Sequence, residues 1–243
     1  MGRRFLSAEW RNLVMLNYEV DPSVLRSRVP NGTELDAWGG RYFVSVVGFL
    51  FLHTRVLGLP IPFHRHFEEI NLRFYVRREA KDGWRRGVVF VKEIVPRAVI
   101  AAVARWVYNE NYVACPMRSR VQLPDGARGI AGSVEYSWTS RSRRNAIGAE
   151  FHGVPRFPAS GSEEEFITKH SWGYVPQRDG STLEYQVKHP QWRVWRASAA
   201  KLDCDVRGFY GEQYQQVLCD LPSSAFVAEG SAIEVFKGEI MQA

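Results

Sequence analysis

The residues best equipped for chemistry lie in Phe67-Glu68-Glu69-Ile70-Asn71-Leu72-Arg73-Phe74-Tyr75-Val76. Side chains of an extended chain alternate between two faces, so Phe67, Glu69, Asn71, Arg73 and Tyr75 share one of them. That row supplies a carboxyl group for acid or base work, a guanidinium for pairing with an anion, and amide and phenol groups that orient a ligand. The opposite row, Glu68, Ile70, Leu72, Phe74 and Val76, is apolar after its first residue. Two readings fit this alternation: a strand with one solvated face, or a strand whose polar row lines a closed β-barrel around a small ligand.

Other groups carry weaker signals. Arg105-Trp106-Val107-Tyr108-Asn109-Glu110-Asn111-Tyr112 is unusually polar and aromatic for a segment leaving a helix. Such a segment either caps the helix or carries function on a rigid scaffold. His64, His66 and Glu68 alternate in a pattern able to hold a divalent ion. His-x-His is common, however, and no metal site is assigned. His189, beside Pro190, reads as a turn residue. There is no Gly-rich phosphate loop and no nucleophile elbow.

The positioning elements are mostly strands. Trp10–Val20 alternates loosely, and Tyr42–Leu52 is apolar on both faces, as a central strand would be. Lys81-Asp82-Gly83-Trp84 marks a hairpin, and Asp125-Gly126 and Asp179-Gly180 repeat the turn signal. Antiparallel pairing follows, rather than a βαβ chain. Short helices are expected after Asp21-Pro22, over 96–106, from Ser162 with its capping box to Glu165, and over 211–221. Without a repeat, linker or composition step, the 243 residues read as one domain.

Composition narrows the function classes. The chain carries 26 Arg against 6 Lys and a net charge of +6. Its basic clusters at Arg77-Arg78, Arg85-Arg86 and Arg141–Arg144 are scattered, and the first two flank a hairpin tip where charge is usually solvated. Nucleic-acid binding would want them interleaved with aromatics on one surface, so it is not expected. Cys115, Cys204 and Cys219 are odd in number with no CxxC pair, which argues against a disulfide framework or structural zinc. No apolar run reaches membrane-spanning length and no signal-peptide core opens the chain, so a cytoplasmic protein is expected.

Taken together, several stretches resemble the YqjF-like family of uncharacterised bacterial proteins. They are Glu9-Trp10-Arg11 through Asn17-Tyr18-Glu19-Val20-Asp21-Pro22, Phe67–Val76, Tyr108–Tyr112 and His189-Pro190-Gln191-Trp192. More distantly, the N-terminal half is similar to acetoacetate decarboxylase. That resemblance implies an α+β, predominantly antiparallel β fold: a closed barrel or cone with a few short helices. It places Arg11 at an active-site arginine and Glu69 at a pocket glutamate. A second family glutamate falls near Val44 and is missing. The Schiff-base lysine is missing too: its place corresponds to Asn111-Tyr112-Val113, and Lys92 is the only nearby amine.

The expectation is therefore a pocket without the family's decarboxylation. Arg11 and Arg73 would pair with an anion and Glu69 would act as acid or base. Tyr75, Arg105, Tyr108, Asn109, Asn111 and Tyr112 would bind and orient the ligand. A buried Glu69 would need Arg11 or Arg73 beside it, so their mutual proximity is the first structural test, and the pocket assignment loses its basis if the three lie far apart. The expected partner is a small anionic or carbonyl-containing molecule, with no cofactor, nucleic acid or membrane. Enzyme and non-catalytic binding module both remain open, as does homo-oligomerisation through the many Trp and Phe residues.

Overall fold

The computed structural model describes residues 2–61, 64–98, 111–125 and 129–241. Its strands are β1 (Arg4–Glu19), β2 (Glu34–Leu35), β3 (Phe43–Val56), β4 (Leu59–Pro60), β5 (Phe67–Ala80), β6 (Gly83–Val95), β7 (Tyr112–Ala114) and β8 (Met117–Gln122). There follow β9 (Gly132–Ser140), β10 (Arg143–Phe151), β11 (Trp172–Pro176), β12 (Thr182–Lys188), β13 (Val194–Asp203), β14 (Ser224–Phe236) and β15 (Glu239–Ile240). The hydrogen-bonded path runs β15-β12-β11-β6-β5-β3-β1-β14-β13-β10-β9-β8. β12 also pairs with β14 through Val187↔Val235 and Lys188↔Glu234. Pairing is antiparallel except where β6 meets β11 and β7. The class is α+β with mostly antiparallel strands.

Two apolar cores explain the sequence pattern. One gathers Val14, Leu16, Val44, Val46, Ile70, Leu72, Phe74 and Val76 against Tyr136, Trp138, Ile147 and Phe151 of the β9–β10 layer. The other, on the opposite face of the same strands, gathers Leu13, Met15, Phe43, Val47, Phe49, Phe67 and Tyr75 with Phe166, Val187 and Val194. β1, β3 and β5 are thus covered on both sides, which is why Tyr42–Leu52 lacks a polar face. Fully burying a Val, Leu or Phe contributes about 1.5–3 kcal/mol. A one-residue slip of β5 would move Glu69 and Asn71 into the first core and expel Ile70 and Leu72 from it, so its register is strongly fixed.

Two glycines mark close approaches. A Cβ at Gly48 would stand 2.8 Å from the Tyr136 ring, so the β9–β10 layer rests almost on the β3 backbone. Gly230 has φ +77°, and a Cβ there would lie 1.9 Å from the Trp10 carbonyl oxygen. It faces Arg11 beside a register shift in β1, where Asn12 has φ 56°.

Of the expected Asp-Gly turns, Asp82-Gly83 and Asp179-Gly180 are present, and Asp125-Gly126 lies, from Gly126, outside the described residues. Asp82-Gly83 closes β5 onto β6 with Ala80 paired to Gly83. The β9–β10 hairpin instead turns through Arg141 and Ser142, at φ 47° and 65°, the left-handed backbone of a two-residue hairpin without its usual Asn or Gly. Asp21 caps a short 3-10 turn by accepting from the Ser23 amide at 2.8 Å. Ser162 caps the helix Glu163–Thr168, while Glu165 reaches back to the Gly161 amide at 2.7 Å. The segment expected as a helix over 211–221 divides into a 3-10 turn, Glu212–Tyr214, and the helix Gln215–Cys219. The helix expected over 96–106 lies, beyond Ala98, outside the described residues. No described helix is long and apolar enough to cross a membrane.

Candidate functional site

Cross-strand register carries the β5 alternation into neighbouring strands. Arg73 stands opposite Ser45, and Ser45 opposite Asn17, giving one polar row across three strands. The next row on the same face runs Met15, Val47, Asn71, Glu93, and then Tyr112 on β7. Asn17 and Ser45 are fully buried, Glu93 is 1% exposed, Asn71 2% and Glu69 4%. Burying a polar group without a hydrogen bond costs about 1–3 kcal/mol, and a charge costs more. A band of such groups inside an apolar shell is therefore the least expected feature of the core.

The band forms two clusters. In the first, Asn71 Nδ2 donates to Glu69 Oε1 at 3.3 Å and the Tyr112 hydroxyl donates to Glu69 Oε2 at 3.4 Å. In the second, the Tyr75 hydroxyl and Ser45 Oγ share a 2.7 Å hydrogen bond, and Ser45 donates to Asn17 Oδ1 at 2.6 Å. The Arg73 guanidinium lies 5.6 Å from the Tyr75 ring centre, and its Nη2 donates to the Ile167 carbonyl at 3.4 Å.

The expected partners of Glu69 are not brought to it. Arg11 stands opposite Leu50, and Leu50 opposite Glu68, so Arg11 leaves the sheet on the face away from Glu69. Its guanidinium grips the Glu9 carboxylate through Nε at 2.8 Å and Nη2 at 2.7 Å. Arg73 does share the Glu69 face. Four residues of strand separate them by about 13 Å, though, and Arg73 is engaged with Tyr75 and Ile167. The pairing expectation is thus corrected: β1 shifts register at Arg11, and the reach of Arg73 is taken up locally. Asn111, exposed, donates from Nδ2 to the Val91 carbonyl at 3.0 Å. Arg105, Tyr108 and Asn109 lie outside the described residues.

The amines are elsewhere as well. Lys92 pairs with Leu72, whose side chain belongs to the first core, so it faces away from the polar band. Its Nζ bonds the Phe209 carbonyl and lies 4.6 Å from that ring's centre. Burial, aided by the Arg28 charge, lowers its pKa. His66 Nδ1 accepts from the His53 amide at 3.3 Å, and Glu68 accepts from Ser119 Oγ at 2.9 Å. Among the described residues no three His, Cys, Asp or Glu are grouped to hold a metal ion.

A third cluster gave no local sequence signal. Asp36 Oδ2 accepts from Arg86 Nε at 2.6 Å and bonds His170 Nε2 at 3.1 Å. Burial opposes ionisation of Asp36, but the bonds from His170 and Arg86 outweigh it and its pKa is lowered. Burial also lowers the pKa of His170, over the opposing pull of Asp36. The pair is thus a carboxylate beside a neutral imidazole. The His170 ring centre lies 4.7 Å from that of Tyr75 and 4.9 Å from that of Phe166. Phe166 and Arg86 also line an outer cleft of about 370 Å³ with Trp38, Trp84, Lys169 and Trp172. The sequence places Arg86 at a hairpin where charge is usually solvated, but the structure engages it with Asp36. Its neighbour Arg85 is likewise engaged, with Glu184 at 2.5 Å.

Comparison with known proteins supplies the relationship. The model of the family DUF2071, described as an uncharacterised conserved protein, matches residues 7–232. The chain belongs to this family. It is 39% identical over 198 residues to the uncharacterised protein YqjF of Bacillus subtilis, covering 78% of this chain and 75% of that protein. Among solved structures, the enduracididine biosynthesis enzyme MppR complexed with pyruvate superposes with TM-score 0.67 at 14% identity, covering all of this chain and 91% of that one. Acetoacetate decarboxylase of Legionella pneumophila superposes with TM-score 0.65 at 11% identity, covering 98% and 87%. At these identities the likeness establishes the acetoacetate decarboxylase-like fold.

Proposed function

We propose that this chain is a single domain whose strand circuit β12-β11-β6-β5-β3-β1-β14, joined by the β12–β14 pairing, closes around a pocket for a small anionic or carbonyl-containing metabolite. The observation that carries this reading is the buried polar band facing the second core, with Glu69 only 4% exposed. Arg73 pairs with the anion and Tyr75 orients it at one end of the band, while Glu69, bound by Tyr112 at the other end, acts as acid or base on a substrate long enough to reach it. Arg105, Tyr108, Asn109 and Asn111 belong to the same proposed lining. Arg11, on the other face and bound to Glu9, acts through the packing of β1 rather than by touching the ligand. The pyruvate named with MppR makes 2-oxo acids the first probes.

The chemistry proposed excludes a Schiff base, which needs an amine in the pocket. All six lysines are described, and Lys92, half-buried beside Phe209, faces the other core. That placement also favours a second reading, a binding or sensing module without turnover. Calorimetric titration with pyruvate and acetoacetate tests the pocket. Arg73→Gln removes a charge-assisted hydrogen bond of about 1.5–3 kcal/mol, so it should weaken binding by about 10- to 100-fold. Unchanged affinity in Arg73→Gln, or no binding by the unaltered protein, contradicts the assignment. Turnover in a screen of oxo- and hydroxy-acids, lost in Glu69→Gln, separates enzyme from binder.

A further inference from the structure

His170 is a buried functional group that this reading leaves unused. It follows the helix Glu163–Thr168, and its side chain is 2% exposed. Asp36, 1% exposed, is itself fixed by Arg86 and by its own amide, which donates to the Tyr75 carbonyl at 3.0 Å. With Asp36 ionised, His170 Nε2 carries the proton and donates it to the carboxylate. The lone pair is left on Nδ1, which is buried and has no hydrogen-bond partner among the described residues. A buried acceptor left unmet costs about 1–3 kcal/mol and calls for a proton-bearing partner. Arg73 Nε is likewise buried and unpartnered among the described residues. Tyr75 ties the two together: the imidazole lies 4.7 Å and the guanidinium carbon 5.6 Å from its ring centre.

We propose that His170, held in one tautomer by Asp36, is a base that removes a proton from the carbon adjoining the carbonyl of a 2-oxo acid bound to Arg73. This deepens the pocket reading and rests on it. In the step, the C3–H bond of the acid breaks and its proton goes to His170 Nδ1. The C–H electron pair becomes the C2–C3 double bond, and the carbonyl π pair moves onto the C2 oxygen. Asp36 compensates the imidazolium, and the Arg73 N–H groups compensate the enolate oxygen and the carboxylate. The proton on Nδ1 exchanges with solvent water, and return of the solvent-derived proton to C3 regenerates the acid. The net change is hydrogen exchange at C3, which needs no oxidant or second substrate.

The test is pyruvate in D2O, followed by loss of its methyl proton resonance, with thermal stabilisation by pyruvate measured alongside. The intact protein should exchange the methyl group faster than protein-free buffer. His170→Gln should lose at least about 100-fold of that rate, the usual share of a positioned base, while keeping the stabilisation. Asp36→Asn, which leaves the imidazole in place, should also slow exchange. Exchange at the buffer rate with stabilisation retained overturns this inference and leaves the pocket reading standing. Exchange unaffected by His170→Gln overturns it as well. Absence of stabilisation overturns both.

Discussion

Replacing His170 by Gln should change how stability depends on pH, with a sign fixed by its surroundings. Burial holds the folded-state pKa of His170 below its ordinary value. Near pH 6.5 and below, the unfolded chain therefore binds a proton that the folded chain refuses. The contribution is fully present above that pH and is lost as pH falls toward the depressed folded value. At pH 5.5, one unit below the unfolded pKa, proton uptake by the unfolded chain caps this loss at about 1.4 kcal/mol. For a chain of this length that caps the shift at about 3–6 °C in melting temperature. His189, also lowered by burial, adds a loss of the same sign, so the diagnostic quantity is the difference between the two proteins. Asp36 acts in another window, since its lowered pKa gives stability that is present above about pH 4 and lost below it. Thermal unfolding by circular dichroism from pH 7.5 to 5.5 should show a shallower fall for His170→Gln than for the parent. An equal or steeper fall would show that His170 takes up its proton in the folded state, and the neutral-imidazole assignment would be wrong.

Three further outcomes follow from particular contacts. Tyr75→Phe removes the 2.7 Å bond to Ser45, which still donates to Asn17, so chemical denaturation should register a loss of about 1 kcal/mol; a loss above about 3 kcal/mol would mean that the phenol holds more than this one bond. Gly230→Ala places a Cβ against the Trp10 carbonyl at positive φ and should cost about 2–4 kcal/mol in the same measurement, whereas a neutral result would contradict the close approach of β14 to β1. Borohydride treatment with acetoacetate or pyruvate should leave the intact mass unchanged, because Lys92 faces Phe209; a trapped adduct on Lys92 would refute its placement.

Much of the architecture was legible because period-two alternation is local. Glu69, Asn71, Arg73 and Tyr75 share a face, and the intervening Ile70, Leu72, Phe74 and Val76 enter the other core, as their spacing implies. The apolar run of β3, interrupted by Ser45 and Gly48, announced a strand covered on both sides. What the sequence hid depends on irregularity or distance. A register shift at Arg11 turned an expected pocket cation toward Glu9. Arg141 and Ser142 adopt a turn that their types do not advertise. Asp36 and His170 are 134 residues apart, and no spacing rule joins a strand end to a helix exit at that separation.

The most direct check on the buried polar band as a binding site is a crystal structure of the protein soaked with pyruvate. The account predicts density for the acid inside the strand circuit, its carboxylate on Arg73 and its carbonyl beside Tyr75. Pyruvate found only on the outer surface, or an interior filled by packed side chains around Arg73, would contradict it.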